Sequence, residues 1–252
     1  RCSFCAGGRE NLCTQARWTG KDVPGGYAEY LVVGGDFAYP IPAVFTDLQA
    51  APLLCAGVIG YRALRLSDLA DGQTVGLFGF GASAHIVIQI LRYRFPDNPV
   101  FVFTRGPHHQ ELARQLGATW TGAPGEVPPT PLDRAIDFTP VGQTLRTALS
   151  VLSPGGRLVI NAIRKTTAVP ELTYEEHLWH EKEIKSVANV TRRDALDFLP
   201  LAARISLCPS VQEFVPEQVN DALLLLKRGK LEAAGALRFA KDAAGSTGEP
   251  PL

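Results

Sequence analysis

Residues 75–89 read VGLFGFGASAHIVIQ, and this stretch constrains the fold more than any other. An apolar run, Val75–Phe78, is interrupted by Gly79, Phe80 and Gly81. From Ala82 the apolar residues return at helical spacing through Ile86, Ile88, Ile90 and Leu91. That order predicts a strand, a tight glycine turn and a helix. Gly79 can supply the turn, Gly81 leaves room for a phosphate to approach the backbone, and Ala84 is small enough for helix to pack on strand. The pattern G-x-G-x-x-A is a fingerprint for pyrophosphate at a helix N-terminus, where free N–H groups and the helix dipole hold an anion. Alone, a glycine turn before a helix is often only a turn.

The alternation continues downstream. Residues 100–103 predict a strand ending in Thr104 and Arg105, and residues 107–116 a helix ended by Gly117. Residues 121–131 are rich in Pro and Gly and read as a loop. A strand over 135–138 runs into Thr139, and a helix through Leu145, Ala148, Leu149 and Leu152 stops at 154–156. A strand over 157–161 leads into Ala162, and residues 184–187 predict the last strand of the set. Strands and helices alternating through short turns predict an α/β fold with a parallel, doubly wound sheet. Upstream, the alternation in GGYAEYLVV, residues 25–33, predicts a strand. Thr46 or Asp47 can cap a helix through Leu48, Ala51, Leu54, Cys55 and Val58, with Cys55 on its apolar side. Near the end, a helix is expected over 216–227, a strand over 234–239 and a frayed polar tail over 241–252.

The chain has 252 residues, 46% of them hydrophobic, enough for a buried core without disulfides. Lys plus Arg and Asp plus Glu both number 25, which argues against bulk attraction to nucleic acid or an anionic membrane. No apolar run is long enough to cross a bilayer and no signal peptide is visible, so a cytoplasmic location is expected. Arg1 and the absence of methionine point to a piece of a longer protein. Three of the five cysteines crowd the start as Cys2-x2-Cys5-x7-Cys13, a knuckle spacing that suits zinc better than a disulfide framework. The alternative is a reduced loop without metal.

Taken together, C-x2-C-x7-C with GRENLC, GGYAEY, APLLCAGVIGYRAL, GFGASAH, ELARQLGA, LSPGGRLVI and SVANVTRRD resemble the zinc-dependent alcohol dehydrogenases of the medium-chain dehydrogenase/reductase family, almost end to end. The resemblance implies a Rossmann sheet plus the remnant of a mostly-β GroES-like catalytic domain. Residues 1–57 would be the end of that domain with its zinc lobe, and 58–198 the dinucleotide-binding domain. Residues 199–240 would return to the catalytic domain, and 241–252 form the tail. Cys2, Cys5 and Cys13 match three of four structural zinc ligands, and Cys55 matches one protein ligand of the catalytic zinc. Two further ligands of that zinc would lie upstream, so this chain alone is expected not to turn over alcohols. The cofactor residues would be Gly79, Gly81, Ala82, Ala84, Thr104, Arg105, Thr139, Ala162 and Arg192, the last near the pyrophosphate. The implied reaction passes a hydride between an alcohol and NAD(P)⁺, with zinc polarising the alcohol oxygen. A small alcohol or aldehyde is the implied partner, and a homo-oligomer is expected. NADP(H) is expected over NAD(H), because Thr104 and Arg105 stand where NAD-specific sheets carry an acidic residue.

The match is not uniform. Ile59 replaces a threonine common near the nicotinamide, and Gly235-Ala236-Leu237 lacks an arginine often close to the cofactor. A zinc-free quinone or enoyl reductase is one alternative, against which the four matched cysteines argue. A non-catalytic nucleotide-binding protein is another. His85 is expected to pack or make a supporting hydrogen bond, His177 and His180 to share a solvated helix face, and Cys208 to pack.

Overall fold

The computed structural model describes residues 2–231 and 233–239, so the tail expected over 241–252 lies outside the described residues. The helices and strands follow in chain order. They are α1 (Ser3–Ala6), α2 (Asp47–Ala50), α3 (Ala56–Ser67), β1 (Val75–Phe78), α4 (Ala84–Arg94), β2 (Val100–Phe103), α5 (Pro107–Gln115) and β3 (Trp120–Gly122). Then come β4 (Leu132–Asp137), α6 (Gly142–Ser150), β5 (Leu152–Ile160), α7 (Tyr174–His177), β6 (Glu183–Ser186), α8 (Arg192–Arg204), β7 (Val211–Phe214), α9 (Val219–Lys227) and β8 (Ala234–Leu237). Six strands form one parallel sheet in the order β3-β2-β1-β4-β5-β6, and β7 pairs with β8 in a second, two-stranded sheet. The strand order reverses between β1 and β4, which opens a crevice at their carboxyl ends.

The period of two along each strand sorts side chains onto the two faces of the sheet. Val75, Leu77, Val100, Val102, Ile136 and Val159 join the core made with α3, α4 and α8. Phe78, Phe101, Phe103, Ala135 and Leu158 join the opposite core, with Leu145, Ala148 and Leu149 of α6. There Phe78 stacks on Phe103 with centroids 4.1 Å apart, and Trp120 meets Phe103 edge-on at 5.1 Å. Two glycines let α3 sit close to its neighbours. A Cβ on Gly60 would stand 2.7 Å from Val87 Cγ2 of α4, and one on Gly57 would stand 2.7 Å from Phe198 Cζ of α8. Arg62 and Arg65 of α3 both pair with the fully buried Asp194 of α8. Asp194 also completes a capping box with Thr191, the N-cap of α8.

Several expectations are corrected. Residues 25–33 form no strand, and Tyr30 and Val32 are 90% and 95% exposed. No neighbouring strand among the described residues takes up that segment's backbone groups, and a ladder needs two sides. Elsewhere residues 2–57 hold short helices and turns, with one isolated bridge between Thr19 and Val23. The helix expected through Cys55 is broken. Pro52 has no N–H to continue α2, so a 3₁₀ turn, Ala51–Leu53, intervenes and α3 starts afresh after Cys55. β3 occupies the start of the expected loop, and β5 begins at Leu152 rather than Arg157, with a register shift against β4. β7 and α8 went unread in the sequence. Among the described residues no helix is long and apolar enough to cross a membrane.

Candidate functional site

The crevice begins at the turn between β1 and α4. Gly79 has φ +84, a conformation that glycine takes without strain, and its N–H donates to the Phe103 carbonyl at 2.8 Å. A Cβ there would also stand 2.9 Å from Thr139 Cγ2, so the turn lies against the end of β4. Gly81 is different: nothing lies within 4 Å of where its Cβ would be. That open backbone, ahead of a helix whose N-cap Ser83 makes no side-chain cap, is a cradle that a phosphate fits. Ala84, wholly buried, starts α4 where it meets the sheet.

The parallel topology brings the other candidates to the same carboxyl edge. Thr104 follows β2 and is buried, with its carbonyl accepting from Gln110 at 3.0 Å. Arg105 beyond it is exposed, and no carboxylate pairs with it among the described residues. Thr139 follows β4 and donates its hydroxyl to Asp137 at 2.7 Å, and Ala162 follows β5, half-buried. Cys55 reaches this edge through α3. The far end of α3 is tied to the amino edge, where Arg134 donates to the Asp68 carbonyl and Arg157 to that of Leu66. A helix of 12 residues is about 18 Å long, which carries Cys55, exposed at its N-cap, across to the other edge.

The three leading cysteines converge. The sulfurs of Cys2, Cys5 and Cys13 all lie within 4.8 Å of one another, and those of Cys2 and Cys5 are 3.6 Å apart. Thiolates on a tetrahedral zinc are separated by about 3.8 Å, given Zn–S bonds of about 2.3 Å. The donor set therefore fits zinc. The Cys5 backbone N–H, ahead of other hydrogen bonds, brings the Cys2 thiol down to about 7, so it gives up its proton readily. The lobe is fastened to the sheet domain from its next turn. Asn11 donates to the Ala188 carbonyl at 2.7 Å, and Glu10 accepts from the Arg192 N–H at 2.7 Å.

No protein-family model matches the chain. A probable alcohol dehydrogenase, AdhA, from Mycobacterium tuberculosis is 42% identical over 236 residues, spanning 94% of this chain and 67% of that protein. The chain belongs to the alcohol dehydrogenases of the medium-chain dehydrogenase/reductase family. Solved structures agree in fold. Acetophenone reductase from Geotrichum candidum, in complex with NAD, superposes with a TM-score of 0.85 at 20% identity, covering 94% of this chain and 69% of that one. CAD from Helicobacter pylori, complexed with NADP(H), gives 0.83 at 21% identity, covering 94% and 70%.

Within this alcohol dehydrogenase chain, some residues stand apart from the reading made of them. Arg192 pairs with Glu10 at 3.3 Å and Asp36 at 3.2 Å and lies over the Phe37 ring, so in this structure its charge faces the cysteine lobe. His177 is fully buried, not solvated, with Nδ1 2.9 Å from the Thr173 carbonyl and Nε2 among Arg146, Ser150 and Glu176. His180 lies beyond the helix at φ +69, and Cys208 is exposed rather than packed. His85 does make supporting hydrogen bonds, to the Gly81 carbonyl and from the Ser210 N–H. Cys55 joins no cluster of three or more metal-binding groups among the described residues. The sequence reading missed one polar cluster at the crevice. Asp137 is buried beneath Thr139 and pairs with Lys165. An acid closing a buried strand, with a basic residue just past the next one, was its signal.

Proposed function

We propose that the chain is the nucleotide-binding and structural-zinc portion of an alcohol dehydrogenase that interconverts an alcohol with its aldehyde or ketone. The observation that carries this reading is the open Gly81 backbone at the head of α4, in a chain of this family. When bound, zinc supplies Lewis-acid polarisation of the alcohol oxygen and the nicotinamide takes up the hydride. The chain's own residues bind and orient. Gly79, Gly81 and Ala82 form the turn that seats the pyrophosphate, Ala84 packs α4 close on the sheet behind it, Thr139 and Ala162 border the crevice, and Arg192 braces the lobe. Cys2, Cys5 and Cys13 hold structural zinc, and Cys55 is one ligand of the catalytic ion. The cysteine cluster favours this reading over a zinc-free reductase. We read the cofactor as NADP(H). Thr104 follows β2 with no acid there to repel a 2′-phosphate, and the exposed Arg105 can pair with one.

Nucleotide titration joined to an activity assay tests this. The chain should bind NADPH more tightly than NADH, and Arg105→Ala should weaken NADPH binding by about tenfold or more while sparing NADH. Equal losses would remove the NADP assignment, and binding of neither nucleotide would remove the function. A catalytic zinc takes three protein ligands, and Cys55 stands without such partners among the described residues. These 252 residues alone should therefore bind nucleotide in added Zn²⁺ without oxidising alcohols. Turnover sensitive to Cys55→Ala would refute that ligand count.

A further inference from the structure

Three consecutive residues of the loop after β5 fasten it to the turn after β4. The Lys165 ammonium pairs with Asp137 Oδ2 and donates to the Thr139 carbonyl at 2.7 Å. Thr166 donates from its backbone N–H to the Pro140 carbonyl at 2.7 Å, and the Thr167 hydroxyl accepts from the Gly142 N–H at 2.8 Å. The fit leaves no slack, since a Cβ on Gly142 would stand 2.1 Å from the Ala168 carbonyl oxygen. Asp137 is fully buried and Lys165 is 15% exposed, so both charges have largely left water. Desolvation makes such a pair a poor source of stability, and apolar side chains would hold two loops together at least as well. What such a pair can supply instead is one fixed geometry.

That geometry is at the crevice. Thr139 is the residue against which Gly79 turns, so the clamp adjoins the phosphate cradle. A doubly wound sheet binds a dinucleotide in two halves, with the adenosine ribose at the end of the second strand. The other half then falls to β4 and β5, the strands whose ends Lys165 joins. The clamped segments carry apolar side chains open to solvent, Ile163 at 98% exposure and Val141 at 36%.

We propose that Lys165 is a cofactor-positioning residue. Held between Asp137 and Thr139, it fixes the loop after β5 as the seat for the nicotinamide half of the dinucleotide. The inference rests on the dinucleotide-binding reading above. Its test is calorimetric titration of wild type, Lys165→Met and Lys165→Arg with NADPH, NADH and the adenine-half fragments 2′,5′-ADP and 5′-AMP. Lys165→Met should weaken the better-bound dinucleotide by about tenfold, through loss of a preorganised loop, and leave the fragments unchanged. Lys165→Arg, which keeps the charge, should restore most of the difference. Dinucleotide affinity unchanged in Lys165→Met, or fragment affinity falling in parallel, would overturn the assignment. Because Lys165→Met strands a buried carboxylate, the neutral pair Asp137→Asn with Lys165→Met is measured beside it. Failure of that pair to fold would make the clamp purely structural and overturn the proposal. Wild type that binds no dinucleotide would instead bring down the reading beneath it.

Discussion

His85 shows how one residue ties the phosphate turn to the rest of the chain. Its Nδ1 lies 3.2 Å from the Gly81 carbonyl, which can only accept, so Nδ1 carries the hydrogen. Nε2 then accepts from the Ser210 N–H at 3.2 Å, which requires the neutral ring. Burial, opposed by hydrogen bonds to the backbone at Gly81 and Ala82, lowers its pKa. The unfolded chain therefore binds a proton more readily than the native one. The stability of the neutral ring is present above about pH 6.5 and is lost as pH falls through the lower native value. Melting temperature should drop between pH 7 and pH 5, and less so in His85→Gln, which keeps a donor and an acceptor. Identical profiles would show that His85 is not the group responsible.

Among the elements, the pair α3 and α8 depends on one carboxylate. Burial raises the pKa of Asp194, but hydrogen bonds from Thr191 and the Arg62 guanidinium outweigh it and the net shift is downward. The same side chain caps α8 and neutralises two arginines of α3. Asp194→Ala should cost about 3 kcal/mol, the scale for breaking a buried ion pair from one side. Urea unfolding with an unchanged slope would measure it. A loss under about 1 kcal/mol, the scale of an exposed pair, would mean that the arginines simply turn to water.

For the whole molecule, β6 is an edge strand of the sheet, with no neighbour on its outer side among the described residues. All four residues of β6 are exposed. The Val187 N–H donates inward to the Ile160 carbonyl, so by alternation Ile184 and Ser186 direct theirs outward. An edge of this kind invites pairing, and a second copy can meet it about a two-fold axis. The protein is therefore expected to be a dimer in analytical ultracentrifugation. Ile184→Pro removes one outward donor and no inward bond, so it should give a folded monomer. A dimer unaffected by Ile184→Pro would place the contact elsewhere.

The alternating pattern of the sheet could be read from its residues because strands buried on both faces are nearly continuous apolar runs, as in Val75–Phe78 and Val100–Phe103. The turn at Gly79 and the spacing of Cys2, Cys5 and Cys13 were legible for the same reason, since each is a local requirement of backbone or ligand geometry. Pairing was not local. Residues 25–33 alternate as a strand should, yet a strand exists only where a neighbour completes its ladder. Thr191 and Asp194 spell a capping box, but the carboxylate acquires its weight from Arg62 and Arg65, about 130 residues away in sequence. Arg192 turned from a phosphate candidate toward Glu10 and Asp36 because the lobe folds back onto the start of α8. Lys165 and Asp137 met only when β4 and β5 lay side by side. Sequence determined which segments are buried and where the backbone must bend, because those properties belong to neighbouring residues. Tertiary structure decided which charges meet, because a charge finds its partner through space and not along the chain.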